Sequence, residues 1–276
     1  MMVMSKYQTS ENKSSFPKIM GILNVTPDSF SDGGRFYNFE NAISHAFKLI
    51  DDGADIIDIG GESTRPGSTP VPIETEIERV IPVIKEIRKN DKKIKISIDT
   101  TKYEVAKLAI DAGADIVNDI SGLQFDLRLA ELTASENKSL IIMHIQNKPK
   151  DMQTHPSYTN VVDEVYDFLK VQSDKARILG NKDIYIDIGI GFGKTLEHNL
   201  ELLKNLKIFK KLNCKMVLGI SRKSFIGKLL NIEKADERDI HTALLHTLLL
   251  NEDIDVIRVH NVKLIKELEL LYSAIH

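Results

Sequence analysis

The chain has 276 residues, with 37 Lys and Arg against 40 Asp and Glu, for a formal net charge of −3. At 42% hydrophobic and 28% charged it has the makeup of a globular protein with a large core, which excludes general disorder. Without a basic surplus it is not a protein that coats nucleic acid, so an anionic ligand has to be gripped by a few local side chains. The single Cys214 cannot form an intrachain disulfide and suits a reducing compartment; beside Met216-Val217-Leu218 it reads as a small core residue rather than a nucleophile. Residues 1–18 carry no apolar secretory stretch, and no run of about 18 uncharged apolar residues predicts a membrane span. The expectation is a cytoplasmic protein with neither a nucleic-acid nor a membrane partner.

Residues 1–16 read as a flexible tail. Beyond them, short β-branched runs alternate with longer segments of helical period. Strands are predicted at 18–25, 54–60, 95–99, 116–120, 140–145, 184–188, 215–220 and 255–259. Between them, stretches such as 73–90, 161–179 and 196–211 place apolar residues at helical spacing with charge opposite. This alternation predicts a parallel sheet. Eight strands in about 250 residues fit a closed (β/α)8 barrel better than an open sheet, whose edges would need protection. No linker rich in Pro, Gly or Ser divides the chain, so residues 17–276 are expected to form a single-domain α/β TIM barrel. An internal repeat supports this: Gly53-Ala54-Asp55-Ile56-Ile57-Asp58 matches Gly113-Ala114-Asp115-Ile116-Val117-Asn118, 60 residues later and about two βα units away. The match aligns Asp58 with Asn118.

Active sites of such barrels lie at the C-terminal ends of the strands. Those ends carry Asn24, Asp58, Asp99, Asn118, His144, Asp187, Lys223, Arg258 and His260. In Ile96-Ser97-Ile98-Asp99, alternation sends the isoleucines to the helices and Asp99 into the barrel mouth. Asp99-Thr100 and Asn118-Asp119 could instead only cap the following helices, and for any one position that alternative stays open. Recurrence at many strands favours a site. Carboxylates and an amide would accept from a flat ring bearing several N–H donors, such as a pterin or guanine-like edge, while Lys223, Arg258 and His260 would donate to oxyanions. A metallohydrolase reading is disfavoured, since Asn24-Val25-Thr26 stands where a His-x-His is usual, and His241 and His246 read as helix residues.

Gly189-Ile190-Gly191-Phe192-Gly193-Lys194-Thr195 fits neither a P-loop, which would need Gly at 188, nor a dinucleotide fingerprint, which would need Gly at 194. It reads as a flexible turn with Phe192 exposed as an aromatic wall. Two long glycine-containing loops follow the first and second strands, Thr26-Pro27-Asp28-Ser29-Phe30-Ser31-Asp32-Gly33-Gly34-Arg35 and Gly61-Glu62-Ser63-Thr64-Arg65-Pro66-Gly67-Ser68. They could be mere connectors, but the Arg65 guanidinium suits a loop that closes over a pyrophosphate.

Together these motifs, with Asn118-Asp119-Ile120-Ser121-Gly122, Ser221-Arg222-Lys223-Ser224 and Arg258-Val259-His260, resemble the dihydropteroate synthase family over nearly everything after residue 17. The resemblance implies a barrel, usually a homodimer. Its implied reaction joins 6-hydroxymethyl-7,8-dihydropterin diphosphate to 4-aminobenzoate and releases diphosphate. It further implies that Asp99, Asn118, Asp187 and Lys223 hold the pterin, and that Thr64, Arg65, Arg258 and His260 serve the diphosphate. Arg65, Lys223, Arg258 and His260 would then be the catalytic group. Phe30, Pro66, Phe192 and Ser224 would frame the aminobenzoate, and Asn24 would be the ligand of a Mg²⁺ cofactor. Asp58 is left behind the site. Departures from the family pattern are Ile188 for a usual Pro, which bears on the turn holding Asp187, Asn147-Lys148 for Gly-Thr, and Asn261 for Asp. Two rivals are a folate methyltransferase, against which the phosphate-directed residues argue, and a barrel that binds pterin without catalysis.

Overall fold

A computed structural model describes residues 16–26 and 35–276. The expected tail therefore lies outside the described residues except for Phe16, whose ring packs 5.8 Å from that of Tyr272. Eight parallel strands close a barrel: β1 (Lys18–Asn24), β2 (Ile56–Gly60), β3 (Lys95–Asp99), β4 (Ile116–Asp119), β5 (Ser139–Met143), β6 (Ile184–Asp187), β7 (Lys215–Leu218) and β8 (Val256–Val259). Each pairs with the next, and β8 returns to β1 from Lys18↔Val256 to Gly21↔Val259. Every predicted strand is present, with ends shifted by no more than two residues.

The helices are α1 (Arg35–Asp51), α2 (Ile73–Asn90), α3 (Tyr103–Ala112), α4 (Arg128–Ser135), α5 (Val161–Ile178), α6 (Leu196–Lys204), α7 (Ser224–Leu230), α8 (Asp239–Leu249) and α9 (Val262–Ile275). The expected helix over 196–211 is cut at Lys204. Asn205 leaves helical geometry and donates from Nδ2 to the Glu201 carbonyl at 2.8 Å. The chain then runs on as a 3-10 segment, Leu206–Leu212, because Leu206, Phe209 and Leu212 recur every third residue and all three are buried. Gly113 ends α3 at φ +115, in the left-handed region where other residues are strained.

The two faces of the strands build different layers. Outward residues, among them Ile57, Ile59, Ile96, Ile98, Ile184 and Ile186, join the helices in the main core, against which Cys214 packs half-buried. Inward residues Met20, Ile56, Ile116, Ile141, Tyr185, Val217 and Val256 form a separate apolar plug inside the barrel. Two residues further along the even-numbered strands, the same inward face carries Asp58, Asn118, Asp187 and Arg258. Alternate strands share a layer in such barrels, so the plug becomes the floor of a polar ring.

Candidate active site

The polar ring is wired internally. Arg258 donates from Nε to Asp58 Oδ2 at 2.6 Å and from Nη2 to Asp99 Oδ2 at 2.8 Å. Asn118 Nδ2 donates to the same Asp58 oxygen at 3.1 Å. Asp187 accepts from the Gly189 N–H at 2.7 Å, and Ile188 is fully buried in the core, so the turn is held although Pro is absent. Burial pushes the Asp187 carboxyl up from its ordinary value, against the pull of the Gly189 N–H and Lys223. Burial, followed by the neighbouring Asp58, also raises Asp99, while Arg258 opposes both. Burial alone would lower the Arg258 guanidinium, but the carboxylates of Asp58 and Asp99 hold it above its ordinary value.

Cations sit above this ring. Burial pushes the Lys223 ammonium down to about 8, with Arg258 adding to the fall, and its Nζ lies 4.0 Å from the centre of the Phe192 ring. Burial lowers His260 to about 3, so its imidazole is neutral at pH 7. Ser221 Oγ accepts from the His260 backbone N–H at 3.1 Å and lies 2.9 Å from Nδ1. Ser221 thus holds the imidazole in place through Nδ1, and the neutral ring carries a single N–H donor. A neutral imidazole remains compatible with the expected role of His260 as a donor at the diphosphate end.

The glycine loop after β6 is likewise not the flexible turn expected from composition. Gly189 has φ +67, and a Cβ there would lie 1.8 Å from the His144 carbonyl oxygen, so only glycine fits. Lys194, 3% exposed, turns inward and donates to the Gly189 and Phe192 carbonyls at 2.9 and 3.0 Å. Its Nζ is also 2.9 Å from His144 Nδ1, and burial drives the ammonium down to about 7 and His144 well below its ordinary value. Phe192 is 8% exposed rather than exposed, because this brace pulls its backbone over the mouth.

Two cavities that share Thr64, Phe192, Lys223 and Arg258 in their linings occupy the mouth. The inner one is lined by Thr64, Asp99, Asn118, Asp187, Phe192, Lys223 and Arg258, among others. The outer one, of about 480 Å³, touches Asn24, Thr64, Arg65, Pro66, Phe192, Lys223, Ser224, Arg258 and His260. Every predicted site residue among those described therefore reaches this mouth; Phe30 lies outside the described residues. His144 belongs to the Lys194 brace, and Asp119 is used locally, accepting from the Ser121 and Leu123 N–H groups. Asn261 caps α9 through the Leu264 N–H and donates to Asp239, a bond an aspartate could not make. Sequence reasoning missed Lys194, which looked only like a residue that spoils a nucleotide motif. It also missed Lys102, which bridges Glu62 at the root of the second loop to buried Glu76.

Residues 20–260 match the pterin binding enzyme family. A curated dihydropteroate synthase from Synechocystis is 44% identical over 89% of this chain and 85% of its own length. The chain belongs to the dihydropteroate synthase family. A solved dihydropteroate synthase from Xanthomonas albilineans with 4-aminobenzoic acid superposes with a TM-score of 0.87 at 38% identity, covering 94% of this chain and 93% of that one. Another structure from that organism, in complex with 7,8-dihydropteroate, gives 0.84 at 35% identity, covering 94% of both chains. The barrel expected from strand spacing is thus the fold of this dihydropteroate synthase family member as well as of its solved relatives.

Proposed function

We infer that this protein condenses 6-hydroxymethyl-7,8-dihydropterin diphosphate with 4-aminobenzoate, giving 7,8-dihydropteroate and diphosphate. The observation that carries the reading is the ring of acceptors, Asp99, Asn118 and Asp187, in one inner cavity with Lys223 and Arg258. A flat amino-pyrimidinone has the N–H donors those acceptors need, and Lys223 donates to its carbonyl edge. The diphosphate extends into the outer cavity toward Thr64, Arg65, His260 and Arg258, whose Nη1 makes no bond among the described residues. Phe192, Pro66 and Ser224, with Phe30 from the first loop, frame the aminobenzoate.

Breaking the C–O bond to diphosphate leaves positive charge on the exocyclic methylene, spread into the electron-rich dihydropterin. The amine of 4-aminobenzoate, already neutral at pH 7, gives its lone pair to that carbon to form the C–N bond, and its extra proton leaves with the diphosphate. No strong general base is needed. Arg65, Arg258 and His260 offset charge developing on the leaving group.

The donor set also bears on Mg²⁺. Among the described residues no group of three or more His, Cys, Asp or Glu could hold a metal. Asn24 at the mouth offers a single amide oxygen. Mg²⁺ commonly takes one or two protein oxygens and completes its shell with phosphate oxygens and water, so Asn24 fits a Mg²⁺ that arrives on the diphosphate. When bound, the ion would withdraw charge from the leaving group.

A second copy of the chain is the proposed partner. Ile240, Leu244 and Leu248 form one exposed stripe on α8, and Leu270, Leu271 and Ile275 are exposed on α9, which packs beside it. Sedimentation should give a dimer that Leu244→Glu dissociates; a monomeric parent removes this part. No described helix is long and apolar enough to cross a membrane. Incubation with the pterin diphosphate, 4-aminobenzoate and Mg²⁺ should yield dihydropteroate. Pterin binding without product would overturn the reading in favour of a non-catalytic binder.

A further inference from the structure

The acceptor ring contains one ambivalent member. Asp99 and Asp187 offer carboxylate oxygens, but Asn118 offers an oxygen at one end of its amide and an NH₂ donor at the other. The two ends have nearly the same shape, so packing alone does not decide which faces a ligand. The decision comes from below. Asp58, fully buried on β2, receives Asn118 Nδ2–H and Arg258 Nε–H on a single oxygen, Oδ2. With its NH₂ drawn down to that oxygen, Asn118 has to turn its carbonyl oxygen the other way, toward the inner cavity that it lines.

Asp58 is a poor choice for stability alone. Its other oxygen, Oδ1, is buried with no hydrogen-bond partner among the described residues, and an unsatisfied buried acceptor is costly. The equivalent position of the internal repeat is Asn118 itself, so two βα units bring the same inward position to the same layer with opposite hydrogen-bonding character. One copy supplies the acceptor and the other the amide that it orients. We propose that Asp58 is a positioning and specificity-determining residue, which fixes the Asn118 amide so that the mouth presents an unbroken set of acceptors to a heterocycle rich in N–H donors. The proposal rests on the pterin reading above.

The test exchanges the two side chains without changing their size. Asn118→Asp alone sets a carboxylate against Asp58 and is expected to weaken pterin diphosphate binding about fiftyfold, the scale of a lost and repelled buried hydrogen bond. Adding Asp58→Asn restores a donor below and an acceptor above, and should recover at least about tenfold of that loss. Asp58→Leu, which removes the acceptor, should weaken pterin binding about fiftyfold while the KM for 4-aminobenzoate stays within about twofold. Calorimetry reads the pterin affinities, and thermal melting confirms folded protein. If Asp58→Leu fails to fold, the exchange pair decides, since it preserves every side-chain volume. A double exchange that binds no better than Asn118→Asp, in a protein whose parent binds pterin, overturns the inference alone. A parent that binds no pterin overturns the functional reading and the inference with it.

Discussion

The loops after β6 and after β2 reach the same mouth but are built in opposite ways. Residues 188–195 are tied down along their whole length: Lys194 holds the Gly189 and Phe192 carbonyls, Gln153 donates to the Gly191 carbonyl, Tyr158 to that of Gly193, and the Gly191 N–H reaches Asn199. Residues 61–72 are secured mainly at the root. There Arg79 donates to the Gly61 carbonyl, and Glu62 accepts from the Val71 N–H and from Lys102. At the tip Arg65, Pro66 and Gly67 are exposed, and the Gly67 N–H bonds across to the Pro149 carbonyl at 3.1 Å. The wall against the flat ring is therefore pre-formed, whereas the cation for the leaving group rides on a segment that can move. Binding of the ring and departure of its diphosphate should then respond to different substitutions.

Gly189→Ala breaks the rigid side most severely. The new Cβ would fall 1.8 Å from the His144 carbonyl at φ +67, so backbone at the foot of the loop has to shift and carry Asp187 and Phe192 with it. We expect pterin binding to fall at least about a thousandfold, since an added side chain here brings both steric conflict and backbone strain. Calorimetric titration with pterin diphosphate checks this, and binding near the parent level would show that the loop is not a fixed wall.

Arg65→Ala probes the mobile side. The expected result is a fall in kcat of about a hundredfold, typical of a lost donor to developing charge, with pterin affinity nearly unchanged. Turnover within twofold of the parent would remove Arg65 from the mechanism.

Lys223 links the two sides and gives a pH signature. Its ammonium, pushed down to about 8 by burial, is charged below that pH and lost above it. kcat/KM for the anionic pterin diphosphate should therefore fall about tenfold per unit above pH 8. Stability should move the other way. Between about 8 and the ordinary 10.5 the unfolded chain binds more protons than the folded one, so this residue makes the fold more stable as pH rises through that window. Lys223→Met should abolish both slopes; a melting temperature that declines across the window in the parent but not in the variant would contradict the assignment.

What the sequence made legible follows from where each signal resides. Strands and their inward polar residues were readable because β-branched runs and a period of two are local properties, which is why Asp99, Asn118 and Asp187 stood out. Asp58 was visible as a strand-end carboxylate and as the partner of Asn118 in a repeat, but its role was not, since that depends on β2 and β4 coming into one layer. Lys194 was hidden because its partners are carbonyls of its own loop, and no side-chain pattern announces those. The neutrality of His260 comes from burial and from the nearby charges of Arg222, Arg258 and Lys223, which only the fold assembles. The end of α6 at Asn205 was lost in an apolar spacing compatible with both a helix and a 3-10 segment.

The smallest effect is expected where the mobile loop meets the rigid body. Lys102, on the segment entering α3, bridges Glu62 in the loop root and Glu76 on α2, whose side chain is 1% exposed and whose Oε1 has no partner among the described residues. Lys102→Met keeps much of the stem's packing and removes the charge between two carboxylates. Repulsion then pushes Glu62 outward, and with it the anchor of the Val71 N–H. The tip keeps Arg65 but loses part of its hinge, so kcat should fall only about threefold to tenfold with pterin affinity intact, while stability drops by about 1–3 kcal/mol for the unpaired buried carboxylate. Stopped-flow turnover beside calorimetric pterin binding separates the two quantities. Equal losses in both would mean that the root of the second loop supports the pterin wall as well, and that the division between a fixed and a closing side is less sharp than the hydrogen bonds imply.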